Sequence, residues 1–345
     1  MEIADAQALW SPAGPYLNTA TFGLPPRTAW DELQAVLEDW RHGRTSWEHW
    51  TESTERARAA FGRLVGVAAE DVACGGTTSQ HVSIVATSLP DGSRVLVPED
   101  DFTSLVYPFL TQADRGVTVD VAPLDRLADA VTKDHDVVAA SLVQSSTGQV
   151  LALDAVLDAA SSADAIVVLD ATQACGWLPV DGSRVDVLAA HAYKWMCSPR
   201  GTAFCAIRPE VRERLRPSAA NWFSTVDPFG TYYGTELRLA HDARRFDTSP
   251  AWFSWTGTAP TVELLADIGV EKIHEHDVGL ANRFRAGLGL EPGDSAIVST
   301  DVPGAEEKLE RAGIRAAVRD GRVRASFHVY TTEADVDAAL DALQD

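Results

Sequence analysis

Two residues that each follow an apolar run could do chemistry together. The run IVVL ends at Asp170, and the run VDVLAA is followed shortly afterwards by Lys194. Lys194 stands between Tyr193 and Trp195, an apolar setting that would remove water from the ammonium and lower its pKa. Taken singly, Asp170 could cap a helix and Lys194 could extend to the surface. Taken together, they suggest a buried carboxylate that faces a buried amine.

A third segment, CGGTTSQ at residues 74–80, could hold a phosphate. Gly76, Thr77 and Thr78 stand between a short apolar step and a helical pattern, where backbone N–H groups and the helix dipole favour an anion. An amine, a carboxylate and a phosphate cup are what pyridoxal phosphate requires, because the amine condenses with the aldehyde and the carboxylate keeps the ring nitrogen protonated. There is no G-x-G-x-x-G and no P-loop lysine, which argues against dinucleotides and nucleoside triphosphates.

Apolar runs that alternate with helical patterns predict the sheet that would position these residues. The runs occupy residues 94–97, 117–121, 137–143, 166–169 and 185–190. This alternation is typical of an α/β fold with a mostly parallel sheet flanked by helices, in which chemistry collects at the carboxyl ends of the strands. The C-terminal part indicates a small α+β domain, with helices expected over residues 262–286 and 333–343. We expect an N-terminal segment that packs at the active site (1–30), a large cofactor-binding domain (31–240) and a small C-terminal domain (241–345).

Composition limits the partners. The 345 residues include 50 Asp and Glu against 29 Lys and Arg, a net charge of −21, which argues against nucleic acid and anionic membranes. No apolar run approaches the roughly 18 residues of a membrane span, and the first residues, MEIADAQALW, lack a basic signal-peptide start, so we expect a cytoplasmic protein. The four cysteines are scattered and are interpreted as buried thiols. His274 and His276 fall on a solvated helical pattern, so no metal site is predicted.

Five motifs occur in one order along the chain: GGTTSQ, an aromatic residue after PEDD, VVLDATQ, HAYKW and VRASFHVYTTEAD. This order resembles the class V aminotransferase group of fold-type I pyridoxal phosphate enzymes, over nearly the whole chain from about Tyr16. The group includes cysteine desulfurases, selenocysteine lyases, kynureninases, isopenicillin-N-epimerase-like proteins and cysteine-conjugate C–S lyases. The resemblance implies a seven-stranded type of sheet in the large domain, an amino-acid substrate, and a homodimer in which both subunits contribute to each active site.

The resemblance also implies a role for each residue that matches a family motif. Lys194 would bind the cofactor and then move protons at the substrate Cα, and Asp170 would pair with the pyridine nitrogen. Gln173 would contact the ring 3-oxygen, and Phe102 would stack on the ring face. The phosphate would be held by Gly76, Thr77, Thr78, His191 and Tyr193.

Three further matches extend the implied cofactor site. Ser145 stands where desulfurases carry an Asn near the ring oxygen. Trp222 lies in an aromatic stretch similar to a kynureninase segment that reaches a neighbouring subunit's site, although core packing explains it equally well. Thr258, in WTGTAP, resembles the turn that completes the phosphate cup across the dimer interface. An alternative match for that turn is FDTSP, around Ser249.

Two residues are implied on the substrate side of the site. Arg324, in VRAS, matches the arginine that binds the substrate α-carboxylate, a contact for which a planar guanidinium is suited. Asn18, in YLNTA, would line the substrate pocket from the N-terminal segment. Arg319 and Arg322 are better interpreted as surface residues of an edge strand.

The reaction follows less directly from the sequence than the cofactor does. Desulfurases carry a nucleophilic Cys shortly before the carboxylate-binding arginine, and residues 301–323 contain none. We therefore expect that the protein is not a cysteine desulfurase, and we favour β-elimination by a C–S lyase on a cysteine-type or β-substituted amino acid. An aminotransferase or an epimerase of the same family is the alternative. A kynureninase-type hydrolase and a non-catalytic relative of the fold are further alternatives.

Overall fold

A seven-stranded sheet forms the centre of the larger part of the chain, in a computed structural model that describes residues 1–45, 47–319 and 321–344. The strands are β1 (Val72–Gly75), β2 (Arg94–Pro98), β3 (Thr118–Ala122), β4 (Val137–Ser141), β5 (Ile166–Asp170), β6 (Val187–His191) and β7 (Ala203–Ile207). Their spatial order is β1-β7-β6-β5-β4-β2-β3. The neighbours from β6 to β3 are parallel, whereas β7 is antiparallel to both β6 and β1. The predicted mostly parallel α/β fold is confirmed.

The central strands are short and apolar because both faces of the sheet are covered. Every residue of β4, β5, β6 and β7 is buried. The helices of this part are α2 (Arg27–Arg41), α3 (Trp47–Val65), α4 (Thr78–Ser88), α5 (Thr103–Leu110), α6 (Leu127–Ala130), α7 (Leu153–Ala163) and α8 (Pro209–Arg212), after a short α1 (Ile3–Gln7). Such two-sided burial is typical of parallel sheets, whose strands are apolar throughout rather than alternating. Strands β1 and β7 were not among the predicted runs.

A smaller antiparallel sheet follows, in the order β8-β10-β9. Its strands are β8 (Ile297–Thr300), β9 (Ala317–Arg319) and β10 (Arg322–Ser326), accompanied by α10 (Val270–Gly287), α11 (Ala305–Arg311) and α12 (Glu333–Gln344). These elements have their own apolar core, which includes Phe284, Phe327 and Leu340. The domain boundary at residue 240 stays a prediction, and helix α9 (Trp252–Ile268), which follows it, packs against α2 and α3.

The helix expected over residues 262–286 is two helices. Gly269 separates α9 from α10, and its φ of 95° lies in a region that only glycine adopts easily, so the chain turns there. Helix α9 also begins earlier than expected, at Trp252, because its first turns pack against α3 as an apolar helix face that the Trp-rich pattern did not reveal.

The N-terminal segment lies across both parts of the chain. Leu17 belongs to the core of the smaller sheet, and the backbone of Asn18 forms a bridge with Ser326 of β10. On the other side, the N–H of Gly23 donates to the carbonyl of Tyr193, 2.9 Å away. A Cβ at position 23 would lie 1.9 Å from the carbonyl oxygen of Lys194, so only glycine fits this approach. Among the described helices, none combines the length and apolarity required to cross a membrane.

Candidate active site

The ends of three strands meet around one cavity. Asp170 is the last residue of β5, His191 is the last residue of β6, and Gly75 ends β1 just before the turn into α4. The cavity between them has a volume of ≈ 220 Å³. Of the residues predicted from the sequence, those that line it are Thr77, Thr78, Phe102, Ser145, Asp170, Gln173, His191, Tyr193 and Lys194.

Lys194 is held in a desolvated position inside this cavity. Its exposed fraction is 7%, and burial lowers its pKa to about 8, although the charge of Asp170 acts in the opposite direction. The guanidinium groups of Arg324, Arg319 and Arg200 lower it further by repulsion. A lysine with this pKa is partly a neutral amine near pH 7, and only the neutral form is a nucleophile.

Asp170 is buried beside the lysine with few bonds to the described residues. Its Oδ1 accepts the N–H of Thr172 at 2.8 Å. Burial raises its pKa, while the hydrogen bonds from Thr172 and the charge of Lys194 limit the rise. The carboxylate therefore keeps acceptor capacity for a cationic group in the cavity.

Thr172 is a residue that the sequence interpretation missed. Its hydroxyl is 3.0 Å from the hydroxyl of Thr78 and accepts the backbone N–H of His191 at 3.0 Å. It thereby ties the end of β5 to the start of α4 and the end of β6. Its position two residues after Asp170, in the VVLDATQ motif, was the available signal.

The turn into α4 lines the cavity with Thr77 and Thr78, whereas the predicted Gly76 is not among the described lining residues. Thr77 caps the helix, its side chain accepting the N–H of Gln80 at 3.2 Å, and the N–H of Gly76 donates to the Gln80 side chain at 3.0 Å. Gly75 must be glycine, because a Cβ there would lie 2.8 Å from the ring of His81. A helix start of this kind favours an anion.

His191 and Tyr193 form the wall next to this turn. The Nε2 atom of His191 is buried and has no hydrogen-bond partner among the described residues. Burial lowers the pKa of His191 to about 4, and the positive charges of Arg200 and Lys194 act in the same direction. Arg200, which the sequence interpretation did not assign, lines the cavity with its guanidinium 4.8 Å from the centre of the Tyr193 ring.

Phe102 forms another part of the cavity wall. It is the residue before α5, is 48% exposed, and its ring centre lies 5.5 Å from the Lys194 Nζ. The neighbouring Asp101 fixes this position, since its carboxylate accepts the N–H of Phe102 at 2.6 Å and the N–H of Ser141 at 2.7 Å. An exposed aromatic face is therefore held beside the lysine.

Gln173 and Ser145 connect the cavity to the N-terminal segment. The amide of Gln173 donates to the Ala20 carbonyl and to the Ser145 hydroxyl, both at 3.0 Å, and its oxygen accepts the indole N–H of Trp195 at 2.8 Å. The Gln173 side chain is thus engaged by the protein on every polar atom. A contact with a bound ring would be made alongside these bonds.

Arg324 lies in β10, next to the cavity rather than in its lining. It is 2% exposed, and it donates to the Ser145 carbonyl at 2.6 Å and to the Thr21 hydroxyl at 2.7 Å. Its Nε has no partner among the described residues. Burial lowers its pKa to about 10, and Arg319 contributes to the shift, so the guanidinium is still charged at neutral pH.

Neither Asn18 nor Trp222 is among the described residues that line the cavity. The Oδ1 of Asn18 is buried and has no hydrogen-bond partner among the described residues. Trp222 donates through its indole N–H to the Ser249 hydroxyl at 3.2 Å and packs edge-on against Trp47, with ring centres 5.8 Å apart. Both stay predictions as site residues.

The expectation that Thr258 lies in a turn is wrong. It lies in the middle of α9, fully buried, where its hydroxyl donates to the Ser254 carbonyl at 2.8 Å and is 2.9 Å from the Thr202 hydroxyl. The local Gly-Thr pattern resembled a turn, but packing of the segment against α3 favours a helix. Ser249, in the alternative segment, is an exposed residue of a loop in which Asp247 and Pro250 are buried.

The described residues fit pyridoxal phosphate. When bound, this cofactor supplies an aldehyde for a lysine amine and a ring that accepts electron density from an amino-acid substrate. The desolvated Lys194 suits the aldehyde, and Asp170 suits a protonated ring nitrogen. The unpartnered Nε2 of His191 and the hydroxyl-rich turn at Thr77 and Thr78 suit a phosphate.

The family model for class V aminotransferases matches residues 18–306. The chain therefore belongs to the class V aminotransferase family, and it is a pyridoxal phosphate-dependent enzyme. Enzymes of this family act on amino acids.

Curated relatives and solved structures agree with this assignment. An uncharacterized aminotransferase, YcbU of Bacillus subtilis, is 28% identical over 90% of this chain and 88% of its own length. A probable cysteine desulfurase of Aeropyrum pernix is 27% identical over 84% of this chain and 83% of its own. The fold is similar to that of the cysteine desulfurase CsdA of Escherichia coli (TM-score 0.84, 20% identity, 100% of this chain and 98% of that chain). It is similar also to the cystine C-S lyase C-DES (TM-score 0.85, 21% identity, 96% of this chain and 98% of that chain).

The prediction that the protein is not a cysteine desulfurase is contradicted by these comparisons. Several relatives are named probable cysteine desulfurases, and solved structures of similar fold include cysteine desulfurases. The prediction relied on the absence of Cys from residues 301–323. One residue in a loop is a weak criterion, because loops change length and position more readily than the strands that carry the rest of the site.

Proposed function

We propose that the protein uses pyridoxal phosphate to cleave the C–S bond of cysteine or of a cysteine-derived amino acid, as an enzyme of the cysteine desulfurase and C–S lyase type. The observation that carries the proposal is the desolvated amine of Lys194 beside the buried carboxylate of Asp170 in one cavity. The similarity to proteins named as cysteine desulfurases and to a cystine C-S lyase supports the choice of substrate.

Three of the chain's own residues would divide the chemistry between them. Lys194, with a pKa of about 8, would take and return the proton at the substrate Cα. Asp170 would hold a proton on the ring nitrogen by its negative charge. Arg324, charged and buried, would bind the substrate α-carboxylate in a bidentate manner through exchange of its present partners at Ser145 and Thr21.

The cofactor's other groups would be held by the remaining lining residues. Phe102 would lie against one face of the ring, where its exposed side chain is fixed by Asp101. The phosphate would be held by Gly76, Thr77, Thr78, His191 and Tyr193.

The subunit arrangement is part of the proposal. We propose a homodimer in which the exposed side chain of Ser249, rather than Thr258, completes the neighbouring subunit's phosphate site. The exposed aromatic cluster around Trp222, in which Tyr233 is 97% exposed, supports an interface at this surface. Sedimentation equilibrium tests this, and a fully active monomer contradicts it. A cytoplasmic location stays a prediction from the sequence.

A spectrum and a product assay test the proposed function. The parent protein with pyridoxal phosphate is expected to show a visible absorbance band that borohydride removes, and Lys194→Ala is expected to lack it. Lys272→Ala, in an exposed position of α10, is the control and should keep the band.

The product assay uses L-cysteine and L-cystine. Alanine with a persulfide on an acceptor thiol, or with sulfide when a thiol reductant is added, identifies desulfuration. Pyruvate and ammonia with sulfide from L-cysteine, or with cysteine persulfide from L-cystine, identify elimination. A 2-oxo acid formed without release of sulfur, or no product at all, contradicts C–S cleavage. The cofactor assignment is tested separately, by the absorbance spectrum.

A further inference from the structure

A second concave site lies on the other side of the N-terminal segment. It is formed by residues from segments 9–16, 24–30 and 313–315, has a volume of ≈ 680 Å³, and is called the N-terminal groove below. Its walls include the side chains of Trp10, Pro12, Pro15 and Trp30. Small-molecule sites in proteins have this size and this largely apolar lining, with a few polar groups that orient the ligand.

The charge of the groove is opposite to that of the protein. Asp and Glu make up 50 of the 345 residues, yet none of the described residues that line the groove is acidic. Two arginines, Arg27 and Arg315, line it instead. Among the described residues, neither guanidinium is paired with a carboxylate, an arrangement that favours an anion brought by a ligand.

Hydrogen bonds hold the walls of the groove in place. Trp10 is 6% exposed, and its indole N–H donates to the Leu24 carbonyl at 2.7 Å. The Tyr16 hydroxyl donates to the Phe22 carbonyl at 2.7 Å, and the backbone of Tyr16 forms a bridge with Arg315. A groove that is already formed loses little conformational entropy when a ligand binds.

The groove is separate from the active-site cavity, with which it shares no described lining residue. The groove and the active-site cavity nevertheless lie on opposite sides of the same N-terminal segment. Tyr16 and Leu24 face the groove, whereas between them Thr21 accepts a hydrogen bond from Arg324 and Ala20 accepts one from Gln173. A ligand in the groove would therefore touch the reverse side of the segment that positions these two active-site residues.

We propose that the N-terminal groove binds a small apolar carboxylate, distinct from the amino-acid substrate. The carboxylate pairs with Arg27 and Arg315, and the aromatic or aliphatic body lies against Trp10 and Trp30. A guanidinium forms two parallel hydrogen bonds with a carboxylate, and the indole rings exclude water from the apolar part.

The test is titration calorimetry of the cofactor-loaded protein with 3-phenylpropanoate. Saturable binding of one molecule per chain is expected. The neutral isostere 3-phenylpropanamide, and the carboxylate with either Arg27→Gln or Arg315→Gln, are each expected to bind about tenfold more weakly, because one charge-assisted pair is lost. Arg311→Gln, an exposed arginine of α11 outside the groove, is the matched control and should bind like the parent.

Four results overturn the proposal. The first is no saturable binding to the parent protein, and the second is equal binding of the carboxylate and the amide. The third is binding that Arg324→Met abolishes while the groove variants leave it unchanged, which would place the probe in the active site. Sedimentation tests whether a second copy of the chain occupies the groove instead. If Trp30→Ala converts a dimer to a monomer and only the monomer binds the probe, the groove is a subunit interface and the proposal is wrong.

Discussion

Asp170 and Asp247 are both buried carboxylates, but their surroundings differ. Asp247 is bound by Arg58 through two nitrogen–oxygen contacts of 2.6 and 3.2 Å, and it also accepts the N–H of Cys74 at 2.7 Å. Asp170 accepts the N–H of Thr172, and its neighbouring cation is a lysine that can lose its proton. One carboxylate is fully engaged by the protein, and the other is left available.

The difference separates a structural site from a chemical one. Although burial acts to lower it, the charge of Asp247 keeps the pKa of Arg58 well above its ordinary value. Burial raises the pKa of Asp247 to about 6, so the pair is ionised at neutral pH. Arg58 also donates to the Val72 carbonyl at 2.5 Å, and the pair therefore ties α3 and the loop before α9 to strand β1. At Asp170 the neighbouring cation is a desolvated lysine that can lose its proton, and burial raises the pKa of the carboxyl, which is how perturbed groups at active sites are made.

The largest expected effect comes from neutralising the available carboxylate. Asp170→Asn should lower kcat/KM for the C–S substrate by about 10²- to 10³-fold, the range for removal of one electrostatic contact to a reacting group. Its melting temperature should stay near that of the parent, because the amide oxygen can still accept the Thr172 N–H. Steady-state kinetics and thermal unfolding are the measurements, and unchanged kinetics in a folded variant would remove Asp170 from the proposed chemistry.

Breaking the engaged pair should instead reduce stability. Arg58→Met is expected to lower the free energy of unfolding by about 3–5 kcal/mol, because Asp247 remains as a buried charge without its partner. The control is Arg56→Met in the same helix, where the arginine is 42% exposed and paired with Glu32 and Glu263. That variant should lose at most about 1 kcal/mol. Urea unfolding measures both, and equal losses would mean that burial does not distinguish the two arginines.

A pH series sharpens the comparison at Lys194. Its pKa of about 8 in the folded chain is below the ordinary 10.5, so the unfolded chain binds more protons between these values. The stability of the cofactor-free parent, measured relative to Lys194→Met, should therefore rise as the pH increases from about 8 to 10.5. The total gain should be of the order of 3 kcal/mol, the equivalent of the pKa difference. If the difference in unfolding free energy between the parent and Lys194→Met does not change between pH 8 and 10.5, Lys194 is not desolvated.

The smallest effect is expected at Thr258. Thr258→Val should lower the free energy of unfolding by about 1 kcal/mol through loss of its buried hydrogen bonds, with no change in cofactor affinity. Ser249→Ala, in the loop that Asp247 anchors, should weaken cofactor binding if that loop completes a neighbouring site. Urea unfolding measures the stability of Thr258→Val, and equilibrium dialysis with pyridoxal phosphate measures the cofactor affinity of both variants. Weaker binding by Thr258→Val, with unchanged binding by Ser249→Ala, would restore Thr258 as the phosphate ligand.

Residues near strand ends could be predicted because the end of a strand can be recognised from the residues next to it in the sequence. Asp170 and Lys194 each follow an apolar run, and in parallel strands the carboxyl ends meet at one edge of the sheet. The turn at Thr77 was recognisable for the same reason, since it lies between an apolar step and a helix. No long-range contact had to be known for these three positions.

Residues that act through distant contacts could not be found in this way. Arg200 has no special local pattern, and its place in the cavity wall arises from the ring of Tyr193. Thr172 lies in a recognisable motif, but its contact with the hydroxyl of Thr78 joins segments that are far apart in the chain. Thr258 has a local pattern that resembled a turn, but burial of the segment against α3 overrides such a pattern.

The sequence by itself determined the α/β class, the cofactor, and the placement of Asp170 and Lys194 near strand ends, because periodicity and residue type decide where strands end and which side chains stand there. Only the tertiary structure decided which buried charges are engaged and which remain available. That distinction depends on partners far apart in the chain, such as Arg58 with Asp247 or Arg324 with Thr21. Tertiary packing brings these partners within hydrogen-bond distance, and no pattern of neighbouring residues in the sequence indicates such a contact.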